Sequence, residues 1–182
     1  MNIRIIAGSL GGRTIIAPAG RKTHPMGERV RNALFNILGD TLKGANVLDA
    51  FAGTGSLGIE AISRGAAHAT FVEKDRTAYN ILVENITTLG IQNKTKAVKS
   101  PVASWISTYD GELFDIILAD PPYHDTQFST VTSLMGLLKP GALMVLSHPG
   151  RDECPTRPGV VVVDNRSYGN AALVFFRLEE DA

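Results

Sequence analysis

NVLDAFAGTGSLGIEA, residues 46–61, holds three glycines, Gly53, Gly55 and Gly58, at the G-x-G-x-x-G spacing of a nucleotide-binding turn. The apolar residues before the first glycine are typical of a buried strand, and the residues after it are typical of a helix. Glu73 follows Gly53 by 20 positions, where an acidic residue that contacts a ribose is expected. The glycines by themselves fit a dinucleotide and other nucleoside ligands equally well.

Strand-like and helix-like segments alternate along the chain after this turn. Strands are predicted at residues 45–50, 68–73, 94–98, 114–119 and 141–147, and helices at 56–64, 76–89, about 101–108 and 126–138. This alternation predicts an α/β fold with a Rossmann-like, doubly wound and mostly parallel sheet. The segment GVVVVDNRSYGNAALVFFRL, residues 159–178, predicts a C-terminal hairpin that adds antiparallel strands at the edge of the sheet.

Residues 1–43 differ from the rest of the chain in their charge. They contain seven Lys and Arg against two Asp and Glu, whereas residues 44–182 contain 11 against 16. A small hairpin around Gly11-Gly12 and a helix over residues 26–38 are predicted in this segment. We therefore divide the chain into a basic N-terminal appendage, 1–43, and a nucleoside-binding domain, 44–182. The basic charge indicates an anionic partner, and a solvated basic face is the alternative.

Length and composition limit the classes of protein to which the chain can belong. A chain of 182 residues can bury a core without a disulfide or a metal ion. Cys154 is the single cysteine, so neither an internal disulfide nor a cysteine metal cluster is expected. The apolar runs are far shorter than a membrane span. We expect a soluble, cytoplasmic protein with no metal site, no membrane contact and no obligate protein partner.

Asp49 stands four residues before Gly53, near the end of the first predicted strand. A dinucleotide would place its pyrophosphate against the glycine turn, where this carboxylate would repel it. A ligand that carries an ammonium group and no phosphate suits the site better. S-adenosylmethionine is such a ligand, and its ribose offers hydroxyls to Glu73. A nicotinamide oxidoreductase remains the alternative from a different class.

The segment FDIILADPPYHD, residues 114–125, indicates the chemistry. Its apolar strand ends in Asp120-Pro121-Pro122-Tyr123, at the carboxyl edge of the predicted sheet. The Asp120 side chain and the Pro121 carbonyl both accept hydrogen bonds, so together they could hold the two hydrogens of an exocyclic amino group. Tyr123 offers a flat face on which a nucleobase can stack. With a nearby sulfonium, this tetrapeptide predicts methylation of an amino group, and we assign the catalytic role to its four residues.

The stretches NVLDAFAGTGSLGIEAISRGA, FVEKD and FDIILADPPY resemble the RsmD family of 16S rRNA guanine-N(2) methyltransferases. The opening segments RIIAGSLGGRTI and RVRNALFNIL are similar to that family as well, so the resemblance covers nearly the whole chain. It implies S-adenosylmethionine-dependent methylation of a guanine amino group, on small-subunit rRNA or on the assembled small ribosomal subunit. DPPY alone is also shared by other amino-methyltransferases, including ones that act on adenine in DNA. An adenine-amino methyltransferase of DNA or RNA therefore stays open, together with an RNA-binding module that has lost its cofactor.

Individual residues follow from the resemblance and the motifs together. The expected cofactor-binding residues are Asp49, Phe51, Gly53, Thr54, Gly55, Glu73 and Ser100. Ser100 follows the third predicted strand, where many methyltransferases bind the adenine amine through an aspartate. The expected RNA contacts are Arg4, Arg13, Arg29 and Arg31. The chain departs from the family at His24-Pro25-Met26, where the family usually has Arg-Pro-Thr.

Overall fold

The computed structural model describes residues 1–18, 25–150 and 154–181. The strands are β1 (Asn2–Arg4), β2 (Thr14–Ile16), β3 (Asn46–Asp49), β4 (His68–Glu73), β5 (Thr95–Lys99), β6 (Phe114–Ala119), β7 (Leu138–His148), β8 (Val160–Tyr168) and β9 (Ala171–Leu178). The helices are α1 (Glu28–Leu38), α2 (Ser56–Ser63), α3 (Arg76–Leu89), α4 (Val102–Thr108) and α5 (Phe128–Met135), with short 3-10 turns at Gly39–Leu42 and Gln92–Lys94. No helix among the described residues is long and apolar enough to cross a bilayer.

The strands from β3 to β9 form one sheet in the order β5-β4-β3-β6-β7-β9-β8. Strands β3 to β7 are parallel, and β9 pairs antiparallel with both β7 and β8. The chain order reverses between β3 and β6, so a crevice is expected outside the carboxyl ends of these neighbouring strands. Strands β1 and β2 form the separate N-terminal hairpin. The predicted fold class is therefore confirmed, including the hairpins at both ends.

Both faces of the sheet are covered, so successive strand residues enter different halves of the core. Val47 and Leu48 follow each other on β3 and are both fully buried, in two different apolar clusters. This double burial explains why the strand reads as continuously apolar in sequence. One cluster includes residues of the N-terminal hairpin, α1, α2 and α3, and the other includes residues of α4 and α5.

The helix predicted over residues 126–138 is too long at its C-terminal end. Helix α5 ends at Met135, and Leu138 already begins β7. The backbone register between β6 and β7 jumps from Phe114 opposite Leu138 to Ile116 opposite Leu143. This bulge absorbs the Pro140-Gly141 pair, whose turn-like composition hides the start of the strand.

Glu60 on α2 joins the N-terminal segment to the large sheet. Its side chain is fully buried, and its carboxylate accepts bonds from the backbone N–H groups of Ile6 at 2.9 Å and Ala7 at 3.1 Å. It also accepts from the guanidinium groups of Arg31 at 3.0 Å and Arg64 at 2.9 Å. The negative charge is thus surrounded by donors from three separate segments, as a buried charge requires.

The prediction that Arg31 contacts RNA is wrong. Only 2% of Arg31 is exposed, and its guanidinium donates to Glu60 and to the carbonyl of Arg4 at 2.8 Å. The apolar periodicity of residues 26–38 predicts a buried face of Val30, Leu34, Ile37 and Leu38, whereas the face that is buried consists of Arg31, Leu34, Phe35 and Leu38. A small rotation of the helix relative to the prediction therefore turns this arginine inward.

We expect Glu60→Gln to lower the free energy of unfolding by about 3–5 kcal/mol, because it leaves the Arg31 guanidinium buried without its counter-charge. Urea denaturation of the full chain measures the change. Glu28→Gln is the matched control, since Glu28 pairs with Arg4 on the surface and should change stability little. Equal effects of the two substitutions would contradict a special role for Glu60.

Candidate active site

The glycine turn between β3 and α2 shows two different uses of glycine. Gly53 and Gly55 have positive φ angles of 56° and 94°. A Cβ atom on Gly53 would meet no described atom within 4 Å, so this side of the turn is open. A Cβ on Gly55 would lie 2.5 Å from Leu82, and one on Gly58 would lie 2.3 Å from Phe71. Gly53 therefore leaves room for a ligand, while Gly55 and Gly58 let α2 pack against its neighbours.

Asp49 at the end of β3 is almost fully buried beside this turn. Its Oδ2 atom accepts a hydrogen bond from the backbone N–H of Gly58 at 2.9 Å, whereas no donor among the described residues reaches Oδ1. Burial raises the pKa of Asp49 to about 8; the Gly58 bond opposes this rise, and the nearby charges of Asp120 and Glu73 add to it. A buried carboxylate oxygen without a donor fits a cationic group of a ligand.

Glu73 at the end of β4 holds the turn in shape. Its Oε1 atom accepts from the backbone N–H of Gly53 at 2.8 Å, and its Oε2 atom accepts from that of Asp75 at 2.7 Å. Each carboxylate oxygen can accept a second bond, so contact with ribose hydroxyls stays a prediction. Ser100 lies beside Glu73 because its backbone N–H donates to the Glu73 carbonyl at 3.0 Å. The Ser100 hydroxyl donates to the carbonyl of Pro101.

Thr54 and Phe51 complete the turn. Thr54 is buried, and its carbonyl accepts a bond from the side-chain amide of Asn85 on α3 at 3.0 Å. Asn85 also exchanges two 2.9 Å hydrogen bonds with the backbone of Ile16 on β2. Phe51 packs against the apolar cluster on the opposite face of the sheet. Sequence reasoning misses Asn85, although a polar residue among the apolar positions of α3 is a usable signal.

The tetrapeptide after β6 places its residues in different environments. Asp120 and Pro121 lie at the strand end, with Asp120 half-buried and Pro121 buried, while Pro122 and Tyr123 are exposed. Burial raises the pKa of Asp120 to about 6, and a hydrogen bond from the Ser147 hydroxyl opposes this rise. Asp120 therefore stays mostly ionised at pH 7.

The structure brings the predicted acidic residues to one edge. Asp49 and Glu73 are the last residues of β3 and β4, and Asp120 directly follows the neighbouring strand β6. The charges of Glu73 and Asp120 raise the pKa of Asp49. Tyr123 exposes 43% of its surface beside them. Within the part of the chain that the structure describes, no group of His, Cys, Asp and Glu has the arrangement of a metal site.

The remaining arginine candidates lie on the N-terminal segment. Arg4, Arg13 and Arg29 are all exposed. Arg4 pairs with Glu28, and the Arg13 guanidinium donates to the carbonyl of Thr88 at 3.3 Å. Their contact with RNA stays a prediction. At the departure from the family pattern, Met26 packs against the core cluster, and His24 lies outside the described residues.

The strand order, the glycine turn and the acidic strand ends define a class I methyltransferase fold. A solved structure with this architecture, the putative methyltransferase yhhF from Escherichia coli, is 32% identical, with a TM-score of 0.89 and 99% of each chain covered. The family described as "Conserved hypothetical protein 95" matches residues 3–177. The putative rRNA methyltransferase YlbH of Bacillus subtilis is 30% identical over 181 residues, 96% of this chain and 98% of that protein. Ribosomal RNA small subunit methyltransferase D of Escherichia coli is 36% identical over 159 residues, 86% of this chain and 79% of that protein.

The chain belongs to this family, the RsmD family, and is an S-adenosylmethionine-dependent methyltransferase. The nicotinamide oxidoreductase alternative has no support in these relatives. The unpaired Oδ1 atom of Asp49 has the chemistry to accept from the ammonium group of the cofactor, and this contact stays a prediction.

Binding of S-adenosylhomocysteine at pH 7 should release nearly one proton, because Asp49 is mostly protonated in the free protein and must ionise to pair with an ammonium group. Calorimetry in buffers of different ionisation enthalpy counts the proton. Affinity should rise as the pH rises towards 8 and then level off. Asp49→Asn removes the titrating group, so its binding enthalpy should not depend on the buffer. Buffer-independent binding by the unmodified chain would contradict the ammonium contact.

Proposed function

We propose that this chain methylates the exocyclic 2-amino group of a guanine in small-subunit rRNA. The observation that carries the proposal is the placement of Asp120 and Tyr123 beside the turn formed by Asp49, Gly53 and Glu73, with ionisable groups that influence each other. The relatives named as rRNA methyltransferases support an rRNA substrate. The choice of guanine rests on the family resemblance of the sequence.

The cofactor supplies an electrophilic methyl group on a positively charged sulfur. Asp49 would pair with its ammonium group, Glu73 would accept from the ribose hydroxyls, and the open side of Gly53 would lie against it. Ser100 and Phe51, near the ends of β5 and β3, would contact the adenine. The acidic surroundings favour a cationic ligand over a phosphate-bearing one.

Asp120 and the Pro121 carbonyl are proposed to prepare the nucleophile. The lone pair of a guanine amino group is delocalised into the ring, which makes it a weak nucleophile. When these two acceptors receive hydrogen bonds from both amino hydrogens, they favour a pyramidal nitrogen. Its lone pair then points at the methyl carbon. As the new N–C bond forms, the bond from the methyl carbon to sulfur would break, its electron pair would stay on sulfur, and S-adenosylhomocysteine would leave as a neutral thioether. The methylated nitrogen would then lose a proton, which the ionised Asp120 can accept.

Tyr123 and the N-terminal segment would hold the RNA. A paired or stacked guanine cannot reach the strand ends, so the base must leave its stack, and the exposed Tyr123 ring offers a replacement surface. Arg4, Arg13 and Arg29 provide exposed positive charge for the phosphates. We therefore propose residues 1–43 as the RNA-contacting part and residues 44–182 as the methyltransferase domain.

Asp120→Asn should leave cofactor affinity near that of the unmodified chain and lower the methylation rate by about 10²–10³-fold, because a preorganised charged acceptor is removed. Single-turnover assays on small ribosomal subunits from a strain lacking the enzyme measure the rate. Mass analysis of the nucleosides should show N2-methylguanosine, whereas N6-methyladenosine would favour the adenine alternative. Asp115→Asn, at the other end of β6 and paired with Lys139, is the matched control.

Replacing Arg4, Arg13 and Arg29 together with Ala should flatten the salt dependence of RNA binding. The slope should fall by about 0.7 for each phosphate of single-stranded RNA that the variant no longer neutralises. Filter binding at several salt concentrations gives the slope, and calorimetry should show unchanged cofactor affinity. Arg166→Ala is the control, since Arg166 is an exposed arginine on the edge strand β8 that pairs with Asp164. An unaltered slope in the triple variant would assign these arginines to an ordinary solvated surface.

A further inference from the structure

Ser147 is a buried hydroxyl beside the proposed catalytic carboxylate. It lies on β7, and only 3% of it is exposed. Strands β6 and β7 are parallel neighbours, with Ala119 opposite Leu146 as the last registered pair. The next residues along these strands are Asp120 and Ser147, so the two side chains come together at the carboxyl edge of the sheet.

The Ser147 hydroxyl connects two residues of the DPPY tetrapeptide. Its Oγ atom lies 3.0 Å from the Tyr123 Oη atom. Ser147 also neighbours Asp120 across the two strands, and hydrogen bonding from its hydroxyl lowers the pKa of the Asp120 carboxyl. An ionised carboxylate can only accept, so Ser147 must donate its proton to Asp120. Its oxygen then accepts from the Tyr123 hydroxyl. The two hydrogen bonds therefore run in one direction: Tyr123 donates to Ser147, and Ser147 donates to Asp120.

We propose that Ser147 is a positioning residue for methyl transfer, holding the Asp120 carboxylate towards the amino group and the Tyr123 ring in its stacking orientation. This inference rests on the proposed function, because it assigns Ser147 to the preparation of the acceptor base. Tyr123 is exposed and follows Asp120 by three residues in a loop, and among the described residues Ser147 is the hydrogen-bond partner that ties its hydroxyl to the sheet.

The direction of the pH effect follows from the charges around Asp120. The bond from Ser147 lowers the pKa of Asp120, so its removal should raise that pKa towards neutrality. Among the titratable groups of the described residues, Asp49 on β3 and Tyr123 interact electrostatically with Asp120. His148, the next residue on β7, packs against Phe128 and Cys154.

The first test measures the Asp120 carboxyl directly, in the cofactor-free chain, by carbon-detected NMR titration. Ser147→Ala should raise the midpoint by about one pH unit, the value of one charge-assisted hydrogen bond. Ser147→Thr keeps the hydroxyl and suits a strand, so its midpoint should stay near that of the unmodified chain. Ser133→Ala, which removes an exposed hydroxyl on α5, is the control. An unchanged midpoint in Ser147→Ala would overturn the proposal.

The second test measures single-turnover methylation across pH. At pH 7, Ser147→Ala should lose about tenfold in rate, with its acidic limb moved to higher pH and its affinity for S-adenosylhomocysteine unchanged. Ser147→Thr should recover most of the rate. Tyr123→Phe should lower the methylation rate less in the Ser147→Ala background than in the unmodified chain, because each substitution interrupts the same chain of hydrogen bonds.

A Thr variant as impaired as the Ala variant, or an unmoved acidic limb, would overturn the positioning role. The failure of the proposed function looks different: the unmodified chain would then produce no N2-methylguanosine. In that case the NMR titration would still decide whether the Ser147 hydroxyl controls Asp120. Tyr123→Phe, which changes an exposed side chain, should shift the Asp120 midpoint in the same direction even if Ser147→Ala folds poorly.

Discussion

The buried carboxylate of Glu60 is the interaction on which the arrangement of the chain depends. It binds the backbone at Ile6 and Ala7 and the guanidinium groups of Arg31 and Arg64. Helix α2 carries this residue and begins at the glycine turn of the candidate cofactor site. One short helix therefore forms the wall of the site at its first turn and secures the N-terminal segment at its last. Displacing any of these segments would leave the buried charge with fewer than its four donors, which is costly.

The carboxyl groups at the strand ends differ from that of Glu60, because they lie near like charges, whereas Glu60 binds two arginines. Burial raises the pKa values of both Asp49 and Asp120, so the folded protein keeps carboxyl groups where their ionised forms are costly. A protein that only had to fold would gain from apolar residues at these positions. A cationic cofactor offsets the cost by supplying the missing charge and donors. Perturbed carboxyl groups that converge at a switch point are therefore better explained by ligand binding than by stability.

Local sequence patterns predict those residues of the candidate site that end apolar strands. Asp49, Glu73 and Asp120 each end an apolar run, and parallel strands bring their carboxyl ends to one edge, so their proximity could be predicted. Ser147 could not be found in this way, because it lies near the end of an apolar strand without any motif, and it neighbours Asp120 only because β7 lies beside β6. The prediction for Arg31 failed for a similar reason: helical periodicity identifies an apolar face but not the distant carboxylate that draws an arginine into it.

Asn85 joins the N-terminal hairpin, which is proposed to bind RNA, to the glycine turn, which is proposed to bind the cofactor. Its side chain bonds both backbone groups of Ile16 on the N-terminal hairpin and the carbonyl of Thr54 in the cofactor turn. Ser63 at the end of α2 adds a second joint, donating to the Ala7 carbonyl and accepting from the Leu10 N–H. Displacing the hairpin would break bonds whose partners also shape the cofactor turn. The basic segment is thus joined to the methyltransferase core by hydrogen bonds. Under the proposed function, RNA bound to this segment would meet a site whose geometry the same bonds define.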